Sequence, residues 1–309
     1  MAKPTIFIDG EHGTTGLEIR QRLDGMPQYE VRSVAEARRK DASARREMMA
    51  SVDLTILCLP DDAAIEATAL AAELGDAAPK LLDASSAHRV ADGWAYGFPE
   101  LGAGQPAQIA EARRVSNPGC YPTGAIALLR PLVDAGLIPP DHPISINAVS
   151  GYSGGGKAMI ELYESGQGPS FDLYGLSLNH KHLPETHVYS GLKTRPIFVP
   201  SVGNFRQGML VSVPLHLDTL PGKPAAADLE AALAERYRGS DWVKLVASPL
   251  TEPRRDRIDA EALNGTNTLQ LRVYANEAHR QAVLVARLDN LGKGASGAAV
   301  QNAALMLGV

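Results

Sequence analysis

The sequence predicts an α/β protein in two parts: a parallel sheet covered by helices, then an α+β part built on a largely antiparallel mixed sheet. Three observations carry this. Over the first 120 residues short apolar runs alternate with helical stretches, as in a parallel sheet covered on both faces. Beyond about residue 140 the apolar runs lengthen, and several alternate apolar with polar residues, which suits strands with one wetter face. The stretch 295–307 is alanine-rich and helical again, and can pack back on the first part.

In chain order, 5–9, 29–34, 54–59, 80–83 and 113–116 read as strands, with helices at 15–23, 41–50 and 61–74 between them. Leu54-Thr55-Ile56-Leu57-Cys58-Leu59 is apolar almost throughout, as a central strand buried on both faces requires. The stretch 122–135 reads as a helix stopped by Gly136 and Pro139-Pro140. In the second part 144–149, 197–199, 209–217, 268–274 and 281–289 read as strands, and 226–238 as an amphipathic helix against them. The charged, turn-rich stretch 249–265 reads as a long surface loop.

With 30 Lys and Arg against 35 Asp and Glu, the net charge of −5 gives no long-range attraction to nucleic acid or an anionic membrane. No apolar run approaches the ~20 residues of a membrane span. Met1-Ala2-Lys3-Pro4-Thr5-Ile6-Phe7-Ile8-Asp9 reaches an acidic residue too soon for a signal peptide. A cytoplasmic protein is expected, with no nucleic-acid or membrane partner.

The first strand runs into Gly10-Glu11-His12-Gly13-Thr14-Thr15-Gly16 and then a helix. Glycines there let the backbone approach a pyrophosphate, whose charge the helix N-terminus stabilises through its unpaired N–H groups. The spacing is G-x-x-G-x-x-G, not the usual G-x-G-x-x-G of dinucleotide folds. After the second strand, where an acidic residue would bind the ribose of NAD, stands Ala35-Glu36-Ala37-Arg38-Arg39-Lys40. Three consecutive cations suit a 2′-phosphate, while Glu36 keeps NAD open.

The two cysteines separate by their surroundings. Cys58 lies inside the most apolar strand and reads as a small hydrophobe with a raised thiol pKa. Cys120 lies in Ser116-Asn117-Pro118-Gly119-Cys120-Tyr121-Pro122-Thr123-Gly124, a strand-to-helix turn that aims the thiol at a helix N-terminus and favours the thiolate. Such a nucleophile needs an acid/base partner. Asn179-His180-Lys181-His182-Leu183-Pro184-Glu185, with His187 after it, is the richest histidine cluster. On an extended segment His180 and His182 share a face. Zinc is the competing reading, but no cysteine or carboxylate stands at a clear ligand spacing, and no metal is expected.

Together with the glycine loop and the cysteine and histidine motifs, Ser150-Gly151-Tyr152-Ser153-Gly154-Gly155-Gly156-Lys157 and the ending Leu288-Asp289-Asn290-Leu291-Gly292-Lys293-Gly294-Ala295-Ser296-Gly297 carry a resemblance. The chain resembles the N-acetyl-gamma-glutamyl-phosphate reductases of arginine biosynthesis, in their shorter branch, over nearly its whole length. More distantly it is similar to the aspartate-semialdehyde and glyceraldehyde-3-phosphate dehydrogenases.

The resemblance implies a Rossmann domain at 1–119 and 290–309 that binds NADP(H), and a catalytic and oligomerisation domain at 120–289. It implies NADPH-dependent reduction of a small acyl phosphate, N-acetyl-gamma-glutamyl phosphate, to N-acetylglutamate 5-semialdehyde through a cysteine thioacyl intermediate. It also implies a homo-oligomer, dimer or tetramer. Cys120 falls on the nucleophile, with His180 and His182 as candidates for the assisting histidine. Gly10, Gly13, Thr14, Thr15, Gly16 and Arg38 fall on the cofactor side, as do Ser153, Gly154 and Asn290 near the nicotinamide. Arg89 falls on the phosphate ligand, with Ser85 or Ser86 helping, and Asn117 and Glu185 fall on the substrate side. Where the longer branch has an acidic residue and an aromatic before that arginine, this chain has Ala87 and His88. A semialdehyde dehydrogenase acting on another acyl phosphate and a non-catalytic NADP-binding redox sensor are the alternatives.

Overall fold

The computed structural model describes residues 3–246 and 256–309, which divide into two compact units. The first comprises Met1–Pro99, Ala103–Gly119 and Ala295–Val309. Its elements are β1 (Thr5–Asp9), α1 (Thr14–Asp24), β2 (Glu30–Arg32), α2 (Ala42–Met49), β3 (Leu54–Leu57), α3 (Asp61–Ala72), β4 (Lys80–Asp83), β5 (Ala95–Tyr96), α4 (Gln105–Glu111) and β6 (Arg114–Ser116). The C-terminal helix, Gly297–Leu307, completes it. The strands lie in the order β2-β1-β3-β4-β6-β5 and every neighbouring pair is parallel. All their carboxyl ends therefore share one edge, and the order reverses at β1, where ligands of such sheets bind.

Period-2 alternation builds a core on each face. Ile6, Ile8, Leu54, Ile56 and Leu82 turn one way, against Ile19 and Leu23 of α1 and Ala299, Ala303 and Met306 of the C-terminal helix. Phe7, Leu57 and Leu81 turn the other way, against Met49 of α2 and Ala64, Ala67 and Ala71 of α3. Lys80 fastens two helix ends, its Nζ donating to the carbonyls of Ala110 (3.0 Å) and Met306 (2.6 Å).

The second unit comprises Glu100–Gly102 and Cys120–Gly294. It contains α5 (Cys120–Asp134), β7 (Ser145–Gly151), α6 (Lys157–Glu164), β8 (Phe171–Leu173), α7 (Leu183–Tyr189), β9 (Ile197–Gly203), β10 (Met209–His216), α8 (Ala226–Arg236), β11 (Val243–Leu245), β12 (Leu269–Asn276) and β13 (Gln281–Leu288). The sheet order is β11-β12-β13-β10-β7-β9-β8, antiparallel except for β7 with β9 and β11 with β12. Helix α5 packs on this sheet so closely that a Cβ on Gly124 would meet Val211 and Ala286 side chains at 2.9 and 3.3 Å. Along β10 the alternate residues Leu210, Ser212, Pro214 and His216, whose side chains turn the other way, are half-buried or exposed.

Several sequence expectations shift. Helix α5 starts at Cys120, two residues before the expected 122, and β3 ends at Leu57, so Cys58 follows the strand and is not inside it. The short elements β5, α4, α6, β8, α7 and β11 were not expected. Of the loop expected at 249–265, residues 249–255 lie outside the described residues, and 256–265 hold turns without regular elements. Among the described residues, no helix is long and apolar enough to cross a membrane.

Candidate active site

At the carboxyl end of β1 the chain turns at Gly10, which adopts φ +91°. A Cβ there would lie 2.4 Å from the Cys58 carbonyl oxygen, so only glycine fits. Gly13 donates back to the Gly10 carbonyl at 3.1 Å and precedes α1, which opens on Thr14, Thr15 and Gly16. Gly13 gives α1 no side-chain cap, and its first turn holds no acidic residue. No N-cap side chain or first-turn carboxylate therefore competes for the leading N–H groups, which fits a pyrophosphate.

Beyond β2 the polar side chains pair with one another. Ser33 donates to Glu11 at 2.9 Å and Arg20 meets both. The loop's His12 reaches Glu36 at 2.7 Å, Glu36 also holds Arg39 at 3.1 Å, and Arg38 holds Asp41 at 3.1 Å. Arg38 is about half exposed there, in reach of solvent and of a phosphate brought from it. Beneath, Arg45 Nε and Nη2 donate to one Asp9 oxygen at 2.9 and 2.7 Å. Burial raises the Asp9 carboxyl pKa, against the opposing pull of Arg45.

At the end of β4 one carboxylate organises the next turn. Asp83, fully buried, accepts the Ser85 N–H (2.9 Å) and hydroxyl (2.7 Å) and meets His88 Nδ1 at 2.6 Å. His88 stacks on Trp94 with centroids 4.2 Å apart. The Ser86 hydroxyl donates to Asp61 at 2.7 Å. Both serine hydroxyls therefore already serve carboxylates, and Arg89 is the cation of this turn, its Nη2 3.3 Å from the Ala84 carbonyl. On the neighbouring strand end Asn117 donates to the Ala295 carbonyl (3.1 Å) and accepts from Asn302 (3.0 Å). The parallel strands thus bring the glycine loop, Arg89 and Asn117 to one sheet edge.

Three residues beyond Asn117, Cys120 is the first residue of the 15-residue α5, where the helix dipole favours a thiolate. Tyr121 beside it packs edge-on against both histidines, with centroids 5.9 Å from His180 and 5.9 Å from His182. Its hydroxyl donates to the Ser201 carbonyl at 3.0 Å and accepts from Tyr174 at 3.2 Å. Burial pushes both phenols up, that of Tyr174 to about 12. Cys120 acts electrostatically on both. Phe198 closes the cluster against Tyr121 and His180.

His180 and His182 do not share the face of an extended segment, as the sequence suggested. They lie in a turn before α7, with their rings 4.8 Å apart. The His182 backbone N–H donates to His180 Nδ1 at 3.1 Å, so a neutral His180 carries its proton on Nε2. His182 is buried and its carbonyl accepts the Thr186 hydroxyl at 2.8 Å; Glu185 is buried in the first turn of α7.

Ser153, Gly154 and Asn290 come together. Asn290 donates to Ser153 Oγ at 2.9 Å and accepts the Gly208 N–H at 2.7 Å, and a Cβ on Gly154 would lie 3.5 Å from the Asn290 amide nitrogen. Cys58, by contrast, packs against the core of the first unit, and burial, then Asp83 and Asp9, push its thiol pKa up. Sequence reasoning missed Tyr121, Tyr174 and Phe198. Tyr121 stood inside the cysteine motif, but nothing in their spacing marked Tyr174 or Phe198. Among the described residues, no three His, Cys, Asp or Glu side chains gather as a metal site would.

The family model for the semialdehyde dehydrogenase dimerisation domain matches residues 120–290. The N-acetyl-gamma-glutamyl-phosphate reductase of Brucella ovis is 55% identical, covering 99% of both chains. That of Trichormus variabilis is 52% identical, covering 100% of this chain and 98% of its own. Among solved structures, aspartate semialdehyde dehydrogenase II of Vibrio cholerae, complexed with ASA, superposes with a TM-score of 0.75 at 16% identity, covering 99% of each chain. The Candida albicans aspartate semialdehyde dehydrogenase with NADP gives 0.64 at 13% identity, covering 98% of each. These two share the fold. The full-length identity shows that the chain belongs to the N-acetyl-gamma-glutamyl-phosphate reductase family.

Proposed function

We propose that the chain catalyses NADPH-dependent reduction of N-acetyl-gamma-glutamyl phosphate to N-acetylglutamate 5-semialdehyde, with release of phosphate, as a step of arginine biosynthesis. The observation that carries this is Cys120 at the head of α5, beside the Tyr121, Tyr174, His180 and His182 cluster. The Cys120 thiolate attacks the acyl carbon, the C–O bond to phosphate breaks, and a thioester forms. Arg89 balances the charge of the departing phosphate. NADPH, when bound, supplies the hydride that reduces the thioester carbon. His180 donates its Nε2 proton to the resulting oxyanion, then takes it back as the carbonyl reforms and the C–S bond to Cys120 breaks. Splitting displacement from reduction gives two easier steps and holds the carbonyl in place between them.

On the cofactor side, the uncapped start of α1 takes the pyrophosphate, and Arg38 releases Asp41 to take the 2′-phosphate. His182 packs the cluster and leads into α7. The protein works in the cytoplasm as a homo-oligomer that associates through the catalytic sheet. The description of the matching family model as a dimerisation domain supports this, as does Val283, 38% exposed on β13.

One assay tests the reading: reduction of NADP by N-acetylglutamate 5-semialdehyde plus phosphate, with aspartate semialdehyde as the comparison. Wild type and Cys58→Ser are expected to turn over the N-acetylated aldehyde, and Cys120→Ser to lose at least about 10³-fold in kcat. Substantial turnover by Cys120→Ser sinks the mechanism, and preference for aspartate semialdehyde moves the substrate.

A further inference from the structure

Lysine is almost never fully buried, yet Lys293 is 0% exposed. Its Nζ lies 2.9 and 3.0 Å from the two carboxylate oxygens of Glu100. Taking both charges out of water costs more than their attraction returns unless the geometry is very good, and apolar side chains of similar volume commonly do as well. A chain that keeps such a pair needs another reason for it.

The surroundings supply one. Lys293 belongs to a single π-helical turn, Gly292–Ser296, of a kind frequently found at functional sites. The next residue, Gly294, has its N–H bonded to the Asp289 carbonyl at 2.9 Å. A Cβ on Gly294 would stand 2.8 Å from the Cβ of Cys120 and 3.3 Å from its Cα. Only a bare Cα fits there, so this turn is a wall of the nucleophile's own niche. Glu100 comes from Glu100–Gly102, a short piece that belongs to the second unit although Pro99 and Ala103 on either side belong to the first. Asp289 is held by Gln207 (2.6 Å) and the Gly265 N–H (2.7 Å). The stretch from Asp289 is thus anchored at its start by uncharged donors and within the turn by the ion pair.

We infer that the Lys293–Glu100 pair is a positioning device for Cys120: it holds the Gly292–Ser296 turn so that Gly294 backs the cysteine and sets the direction of its sulfur. The inference rests on Cys120 being the nucleophile. A thiolate must meet the acyl carbon at near-attack distance, and a misplacement of about 1 Å can cost on the order of 10²-fold in rate. Lys293 and Glu100 act through the turn and touch neither substrate nor cofactor in this account.

The test uses the full-length protein with Lys293→Met, Glu100→Gln and the double variant Lys293→Met/Glu100→Met. Two readouts are taken: kcat and KM in the aldehyde assay, and the rate of Cys120 alkylation by iodoacetamide against pH, with peptide mass spectrometry separating Cys120 from Cys58. The expected result is a kcat about 10- to 100-fold lower, KM for NADP within about threefold, and a Cys120 alkylation rate changed at least about fivefold. The double variant leaves no unpaired charge and is expected to regain the wild-type Tm without regaining kcat. Should a single variant fail to fold, the double variant carries both readouts. A double variant with wild-type Tm, kcat and alkylation profile overturns the inference, since the pair is then only one way of filling space. Altered alkylation in a protein whose wild type reduces no acyl phosphate would instead count against the function proposed above and leave the positioning role standing.

Discussion

Among single residues, the roles proposed for His180 and His182 turn on one backbone hydrogen bond. With the His182 N–H donating to His180 Nδ1 at 3.1 Å, a neutral His180 carries its proton on Nε2, the atom that the proposed mechanism uses. His180→Ala is expected to lower kcat by about 10²-fold or more while the protein keeps its Tm. His182→Ala is expected to act mainly on stability, by about 1–3 kcal/mol, because the ring is buried among Tyr121 and His180. Steady-state kinetics beside thermal unfolding separates the two, and an inactive but fully stable His182→Ala would reverse the assignment. The Cys120 motif was legible because a strand, turn residues and a helix surround it in sequence. Lys293 was not, because it stood only as one residue of the ending's motif and the packed turn alone reveals a buried ammonium. The resemblance makes Ser85 or Ser86 a helper of Arg89, whereas the fold gives their hydroxyls to Asp83 and Asp61.

Among elements, the parallel strands were the most legible, since a strand buried on both faces leaves an unbroken apolar run; β1 and β4 fall where expected to the residue. The elements missed are short. Ala95–Tyr96 is too short to show any period, and α7, Leu-Pro-Glu-Thr-His-Val-Tyr, hides behind a proline that is tolerated at a helix start. The C-terminal helix was foreseen, but not the side chain that pins it. Asn302, fully buried, donates to the Gly97 carbonyl (2.8 Å) and to Asn117 (3.0 Å), the latter at the end of β6. Asn302→Ala would leave both acceptors short of a donor in a buried place, for an expected loss of about 2–4 kcal/mol. Urea unfolding followed by circular dichroism measures it, and a loss below about 1 kcal/mol would show that water replaces the amide.

For the whole molecule, buried phenols set the alkaline limit. Burial raises Tyr121, Tyr174 and Tyr237, with Tyr174 near 12. A folded-state pKa above the unfolded value of about 10 means that the native state holds its proton longer than the unfolded chain does. The Tyr174 contribution is therefore fully present below about pH 10 and is lost as pH rises through about 12, while those of Tyr121 and Tyr237, raised further by burial, fall away over a window that starts at the same pH and extends higher. Tyrosinate absorbance at 295 nm, compared with far-ultraviolet circular dichroism between pH 9 and 13, is expected to show part of the ionisation arriving only with unfolding. Complete ionisation of a still-folded protein would contradict the burial seen here.

The first unit is discontinuous, and that has a consequence during synthesis. Its sheet comes from the first 119 residues, but one face of its core waits for Ala299, Ala303 and Met306. A ribosome delivers these only after every residue of the second unit has emerged. The second sheet can thus mature while the first still presents Ile6, Ile8 and Leu82 to solvent, so the first unit is the half exposed longest to aggregation during synthesis.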